Sequence, residues 1–460
     1  MGLRIGGQVE KVNAKVLSYA EFAEKYMNKN QPVVLTGLMD DWRSCSDWVT
    51  EAGKPNLLFL STHFGTSKVQ VADCGTGVLN DKRTEMTLSE FINCAKFGES
   101  SDSDKSLLYL KDWHFVKEYP EYVAYKTPLH FCDDWLNLYL DNYRLHTEPD
   151  TYNQGNEISC SDYRFVYMGP KGTWTPLHAD VFRSYSWSAN VCGRKQWYFL
   201  PPNQHHLVHD RNMRVSIYNI FADVNEVEFP GFREAVWLEC TQEQNEIIFV
   251  PSGWYHQVHN LPQMCNNLQE DTISINHNWF NAYNLSWVWE LLLRDYHEAQ
   301  EYIVDLKECD DFEELCQRNL AANTGMNIKD FFAFLVRFAF SNMVQLRNLT
   351  TREMARHFVF NLECIRSTAL KMKSIDIDKK HGFFIAGKDF EDHLLEELCI
   401  SLRKTYGFIH GEPQVDGNFD LFLCKYFGSN FHKSGCLCDY EDLTSLIDNA
   451  LIELSGSFSG

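Results

Sequence analysis

His178 and Asp180 stand two residues apart in Thr173-Trp174-Thr175-Pro176-Leu177-His178-Ala179-Asp180, and a further histidine, His256, follows in Gly253-Trp254-Tyr255-His256. On an extended strand, residues i and i+2 point to one face, so His178 and Asp180 can grip a single ion. His256 must then come from a distant strand that the fold brings alongside. A chain that uses all three residues is therefore a β-rich fold that closes remote segments on each other. Two imidazoles and one carboxylate on one face of an octahedral ion leave three positions open, the geometry of non-haem Fe(II) oxygenases. A structural zinc site would complete its shell with a fourth ligand, usually thiolate. No Cys lies within a few residues of His178 or His256.

The surroundings agree with strands. Thr175-Pro176 disfavours a helix ahead of the pair. An aromatic run (Phe182, Tyr185, Trp187) follows, then Gly193-Arg194-Lys195-Gln196-Trp197-Tyr198-Phe199-Leu200-Pro201-Pro202. Glu246-Ile247-Ile248-Phe249-Val250 reads as a strand that ends in Pro251-Ser252-Gly253. From Tyr163 to Asn278 short apolar runs are divided by Pro and Gly, which suits a double-stranded β-helix, the jelly-roll barrel of cupin-like proteins.

Upstream, Ser18-Tyr19-Ala20-Glu21 and Thr87-Leu88-Ser89-Glu90 are capping boxes that open helices. Val33-Val34-Leu35 is a short buried strand, and Leu107–Leu110 starts another. Beyond Asn281 the period changes: Leu285, Val288, Trp289, Leu292 and then Phe331, Phe334, Leu335, Phe338 recur at helical spacing. Thr351–Lys373 and Phe390–Lys404 are further helix candidates. The expected fold is mixed α and β: a jelly-roll, cupin-like barrel with flanking helices over residues 1–280, and a helical C-terminal domain over 281–460.

These segments, with Pro32-Val33-Val34-Leu35-Thr36-Gly37 and Trp42, Leu108-Tyr109-Leu110-Lys111-Asp112-Trp113, and Tyr163-Arg164-Phe165-Val166-Tyr167-Met168-Gly169-Pro170, resemble the Jumonji-C family of Fe(II)- and 2-oxoglutarate-dependent oxygenases. The resemblance covers residues 30–280. It implies iron held by His178, Asp180 and His256, with 2-oxoglutarate and dioxygen as cosubstrates. It also implies Lys195 as the cation for the far carboxylate of the oxo acid, with Thr175, Tyr109 and Asn276 beside it. Each has a plainer structural reading: a rim salt bridge for Lys195, a turn hydroxyl for Thr175, a core phenol for Tyr109. Asn278 aligns with a second polar family position. Ser188 stands where some relatives carry Asn, which leaves that contact open.

His259 competes with His256. Three residues apart on one strand, they face opposite sides, and the Gly-Trp-Tyr-His match selects His256. Leu261–Asp271 reads as an insertion in a surface loop. His205-His206-Leu207-Val208-His209 reads as the start of a surface helix. Cys424, His432, Cys436 and Cys438 match no usual zinc-finger spacing.

Within the family, the resemblance is to small protein hydroxylases. It implies a protein substrate, a lysine carbon as the site of oxidation, and a class-one translation release factor as the protein that bears it. The iron triad leaves a histone lysine N-demethylase open as an alternative. A catalytically silent binding module has no chemical need for all three ligands.

The formal charge of −21, from 42 basic and 63 acidic residues, argues against a general nucleic-acid binder and suits a basic protein partner. No membrane span is expected. Met1-Gly2-Leu3-Arg4-Ile5-Gly6 has no signal-peptide core. The 15 Cys form no disulfide-like framework, so a reducing cytoplasmic or nuclear compartment is expected.

Overall fold

The computed structural model describes residues 2–75, 83–95, 107–143, 162–261, 271–347, 351–373, 385–386, 393–412, 436–437 and 439–455. The chain divides into two compact units, Met1–Phe131 with Tyr163–Trp279, and Cys132–Asp162 with Phe280–Gly460.

The first unit carries fourteen strands among the described residues. They are β1 (Arg4–Gln8), β2 (Glu10–Asn13), β3 (Val33–Thr36), β4 (Lys68–Asp73), β5 (Arg83–Thr87), β6 (Leu108–Trp113) and β7 (Arg164–Gly169). After them come β8 (Trp174–His178), β9 (Tyr185–Cys192), β10 (Arg194–Leu200), β11 (Val236–Gln242), β12 (Glu246–Val250), β13 (Tyr255–Leu261) and β14 (Thr272–Trp279). One sheet runs β1-β11-β10-β13-β8 and the other β2-β3-β12-β9-β14-β7-β6-β4-β5. From β7 to β14, successive strands distribute over the two sheets so that β12-β9-β14-β7 faces β11-β10-β13-β8. This is the jelly-roll topology expected from the sequence. The N-terminal strands extend both sheets, β1 and β2 pairing in parallel with β11 and β3.

The chain crosses from one sheet to the other at the corner between β9 and β10. Gly193 sits there at φ +76°, and a Cβ would lie 2.6 Å from the Asp271 carbonyl oxygen and 2.7 Å from Thr272 Cγ2. Only glycine fits both the backbone and the space.

Strand alternation turns one row of side chains on each strand toward the barrel interior. Val34, Trp197, Phe199, Cys240, Ile248, Val250, Trp254 and Val258 pack together between the sheets. Burying each large side chain contributes about 1.5–3 kcal/mol. Lys195 continues the row of Trp197 and Phe199 on β10, and Asn260 continues that of His256 and Val258 on β13, with Lys195 directly opposite Asn260. β9 and β14 carry further buried polar side chains, Ser186, Ser188 and Asn190 on the first and Thr272, Ser274 and Asn278 on the second.

Both capping boxes form. Ser18 and Glu21 cap Tyr19–Phe22, which continues as a π-turn through Met27, and Thr87 and Glu90 cap Leu88–Cys94.

The second unit holds helices Leu285–Tyr302, Phe312–Thr324, Ile328–Arg347, Arg352–Met372, His393–His410 and Tyr440–Ser455. It also takes in Trp135–Asn142, which chain order alone assigned to the barrel domain. The reason is packing. Trp135 stacks on Phe338 at 4.5 Å with 5° between planes, and Tyr139 meets Phe334 at 5.1 Å. The buried Asp133 carboxylate accepts from Trp135 Nε1 (2.9 Å), Tyr406 Oη (2.8 Å) and Asn281 Nδ2 (3.2 Å). No described helix is long and apolar enough to cross a membrane. The insertion core (262–270) and Cys424, His432 and Cys438 lie outside the described residues, as does the side chain of Cys436.

Candidate metal and co-substrate site

His178 closes β8, and His256 lies directly opposite it near the start of β13. Asp180 is not on the strand, which ends at His178. It follows in an extended residue (φ −62°, ψ 150°) that leads into a turn. Because Asp180 remains extended, the i, i+2 relation to His178 survives past the strand end. One potential ligand atom from each of His178, Asp180 and His256 lies within 4.8 Å of the other two, and this is the one such cluster among the described residues.

Hydrogen bonds prepare all three side chains. His178 Nδ1 lies 2.8 Å from the Pro176 carbonyl and His256 Nδ1 lies 3.1 Å from the Trp254 carbonyl. A carbonyl only accepts, so each Nδ1 carries the hydrogen, which in the neutral ring leaves the Nε2 lone pair for a metal. Such contacts fix tautomer and ring orientation in metal-binding histidines. Burial, reinforced by the adjacent His178, pushes the pKa of His256 down and keeps the ring neutral. Ser186 Oγ donates to Asp180 Oδ2 at 2.7 Å. Trp197 and Phe199 stand 5.6 and 5.8 Å from the His256 ring and form an apolar wall. The donor set of two imidazoles and one carboxylate, without thiolate, fits ferrous iron with positions to spare.

His259 does not join the cluster. Its ring stacks on Trp174 at 5.7 Å and 5°, and its Nε2 lies 2.8 Å from Gln257 Nε2. His205 and His206 lie in a 3-10 helix (Pro202–Val208), but His209 is buried. Its Nδ1 faces the His205 carbonyl at 2.7 Å and its Nε2 faces Tyr255 Oη at 3.4 Å, so this end of the segment is packed rather than on the surface.

A second polar group gathers deeper in the barrel. Lys195 is 3% exposed, and its ammonium donates to Ser274 Oγ at 2.7 Å and Tyr109 Oη at 3.5 Å. Burial pulls its pKa down to about 7. Tyr109 is buried, which holds its phenol protonated, and Asn260 and Thr175 hydrogen-bond its oxygen. Asn276 Nδ2 donates to Ser274 Oγ at 3.1 Å. Lys195, Thr175, Tyr109 and Asn276, which come from β10, β8, β6 and β14, are thus linked directly or through one side chain. The rim salt bridge open to Lys195 in the sequence does not form among the described residues. Ser188 sits opposite Asn276 in the β9–β14 ladder, and its buried hydroxyl has no hydrogen-bond partner among the described residues.

Three participants were missed in the sequence. Ser274 and Ser186 were legible in principle, since Ser274 alternates with Asn276 and Ser186 with Ser188. Asn260 reaches Tyr109 only through the register of β13 against β10 and β8, which no local pattern carries.

Comparison with known proteins gives the same answer. A cupin-like domain model matches residues 19–284. The chain is 54% identical over 461 residues to the arginine-specific demethylase JMJ20 of Arabidopsis thaliana, covering 98% of each chain. It is 40% identical over 344 residues to the 2-oxoglutarate and iron-dependent oxygenase JMJD4 of Danio rerio, covering 73% of this chain and 76% of the relative. With the protein of the same name from Homo sapiens the identity is 36% over 352 residues, covering 74% and 77%. With the barrel, the His-Asp-His cluster and this breadth of similarity, the chain belongs to the Jumonji-C branch of the cupin-like family, the iron- and 2-oxoglutarate-dependent oxygenases of JMJD4 type.

Proposed function

We propose that this oxygenase oxidises a C–H bond in the side chain of a basic residue of a protein, hydroxylating a lysine carbon. The observation that carries the reading is the convergence of His178, Asp180 and His256 beside the polar group around Lys195 within one barrel. In this reading His178 Nε2, His256 Nε2 and an Asp180 oxygen hold iron. Lys195 pairs with the far carboxylate of 2-oxoglutarate, and Tyr109, Thr175 and Asn276 orient that co-substrate. Iron and 2-oxoglutarate together supply the chemistry: dioxygen and the oxo acid become succinate and carbon dioxide, and one oxygen atom enters the substrate C–H bond. The chain supplies placement, a dry apolar wall at Trp197 and Phe199, and fixed tautomers.

For the substrate, the family resemblance favours a lysine of a class-one translation release factor. The net charge of −21 suits a basic partner segment. A cytoplasmic location follows from that substrate.

A second reading is arginine N-demethylation, favoured by the 54% identity to a relative named as an arginine-specific demethylase. The same insertion at an N-methyl carbon gives a hemiaminal that releases formaldehyde. The deciding experiment is mass spectrometry of release factor and of methylarginine histone peptides after incubation with enzyme, Fe(II), ascorbate and 2-oxoglutarate. Gain of one oxygen on a release-factor lysine supports the first reading. Loss of a methylene from the methylated peptides, with release factor unmodified, selects the second.

A further inference from the structure

Between Asp180 and β9 the chain passes through Val181-Phe182-Arg183-Ser184. Phe182 (φ 56°, ψ 10°) and Arg183 (φ 48°) both lie in the left-handed region. That region crowds the side chain of an L-residue against its own backbone, and a bulky residue there is a genuine outlier. Two in succession persist only where the surroundings over-determine them, and such strain gathers at functional sites.

The over-determining contacts are visible. The Phe182 ring is 1% exposed and meets the Tyr163 ring edge-on at 5.5 Å. Val181, the other apolar side chain of the turn, is 50% exposed, so apolar anchoring falls to Phe182. Arg183 N–H donates to the Asp180 carbonyl at 3.0 Å and Ser184 N–H to the Val181 carbonyl at 2.9 Å. Beyond the turn, Ser184 Oγ accepts from Asn278 Nδ2 at 3.2 Å and Ser186 Oγ donates to the Asp180 carboxylate. Asp180 is therefore gripped through its backbone by the turn and through its side chain by the strand that the turn delivers.

We propose that Phe182 is a positioning residue for the metal centre: its buried ring, seated on Tyr163, holds the left-handed turn that aims the Asp180 carboxylate at His178 and His256. The inference rests on the reading of those three residues as metal ligands. A ligand that hangs on an irregular turn rather than a strand has no ladder to orient it. Small errors in aim matter at a metal site, and Phe182 does here what a strand does for His178.

The test is Mn(II) binding by calorimetry and the visible absorption of the Co(II)-loaded protein, both on the full chain. Phe182→Ala should weaken Mn(II) binding about 10- to 100-fold, the range seen when support for a metal ligand is lost, and should alter the Co(II) spectrum. Tyr163→Ala, which removes the seat, should do the same, whereas Tyr163→Phe should restore parental values. Phe91→Ala, a truncation of a fully buried ring in the Leu88–Cys94 helix, should lower thermal stability yet leave Mn(II) affinity unchanged. Parental Mn(II) affinity in Phe182→Ala, or an equal loss in Phe91→Ala, overturns the proposal. If Phe182→Ala does not fold, parental affinity and spectrum in Tyr163→Ala overturn it. Asp180→Ala separates the two levels: if it too binds Mn(II) normally, the ligand reading has failed, and if it alone loses metal, only the turn proposal has.

Discussion

The rings of His178 and His256 face each other across the β8–β13 ladder with centroids 4.3 Å apart, each tied through Nδ1 to a carbonyl two residues earlier in its own chain segment. His259 is on the same strand as His256 but stacks on Trp174. His256→Ala should therefore abolish Mn(II) binding, while His259→Ala should leave it close to parental. Calorimetric titration of both variants checks the order, and the opposite order would reassign the third ligand.

Asp180 is the anionic member of the cluster, and Ser186 holds one of its oxygens. Asp180→Ala should abolish succinate formation without loss of the folded state. Ser186→Ala should retain activity at saturating iron but weaken iron affinity by about tenfold or more. Succinate release measured across an iron titration distinguishes the two behaviours. Full activity of Asp180→Ala at equal iron loading would sink the assignment.

Lys195→Ala should weaken 2-oxoglutarate binding by about 1.5–3 kcal/mol, more than tenfold, because a charge-assisted pair in a dry pocket is lost. Mn(II) binding in the absence of the oxo acid should change little. An unaltered 2-oxoglutarate titration would return Lys195 to a structural role.

The same residue gives a pH dependence. Burial lowers the Lys195 pKa to about 7, among neutral partners on Ser274 and Tyr109. An incoming carboxylate favours the ammonium form. Below about pH 7 that form is already present and affinity should be flat. Above it, each binding event takes up a proton, and affinity should fall by up to about tenfold per pH unit. Titrations of parent and Lys195→Ala across this window isolate the effect. A parent affinity with no greater pH dependence than the variant's would mean that Lys195 is charged without its ligand.

In the helical unit, Asp133→Ala removes the acceptor of the buried Tyr406 hydroxyl, while Trp135 Nε1 keeps Tyr406 Oη and Asn281 Nδ2 keeps the residue-133 backbone carbonyl. An unsatisfied buried donor costs about 1–3 kcal/mol, so the folded unit should lose about that much stability. Denaturant unfolding followed by far-ultraviolet circular dichroism checks this. Parental stability would mean that water replaces the carboxylate.

What could be read from the chain was local or periodic. Ser18 with Glu21 and Thr87 with Glu90 form capping boxes because donor and acceptor lie within one helical turn. The barrel strands followed from short apolar runs divided by Pro and Gly, and the C-terminal helices from an apolar period of about 3.6. His178 and Asp180 could be paired because side-chain direction repeats every second extended residue. The assignment of Trp135–Asn142 to the helical unit could not be read, since its partners Phe334, Phe338 and Tyr406 are remote in the chain. Nor could the meeting of Lys195, Tyr109, Asn260 and Ser274, which depends on strand register and on the irregular pairing between His256 and Val258. By itself the sequence determined which residues have the chemistry to hold a metal and an anionic co-substrate. Only the tertiary structure decided which atoms meet and at what tautomer, because register, burial and the strained turn at Phe182 arise from contacts between segments that no local pattern encodes.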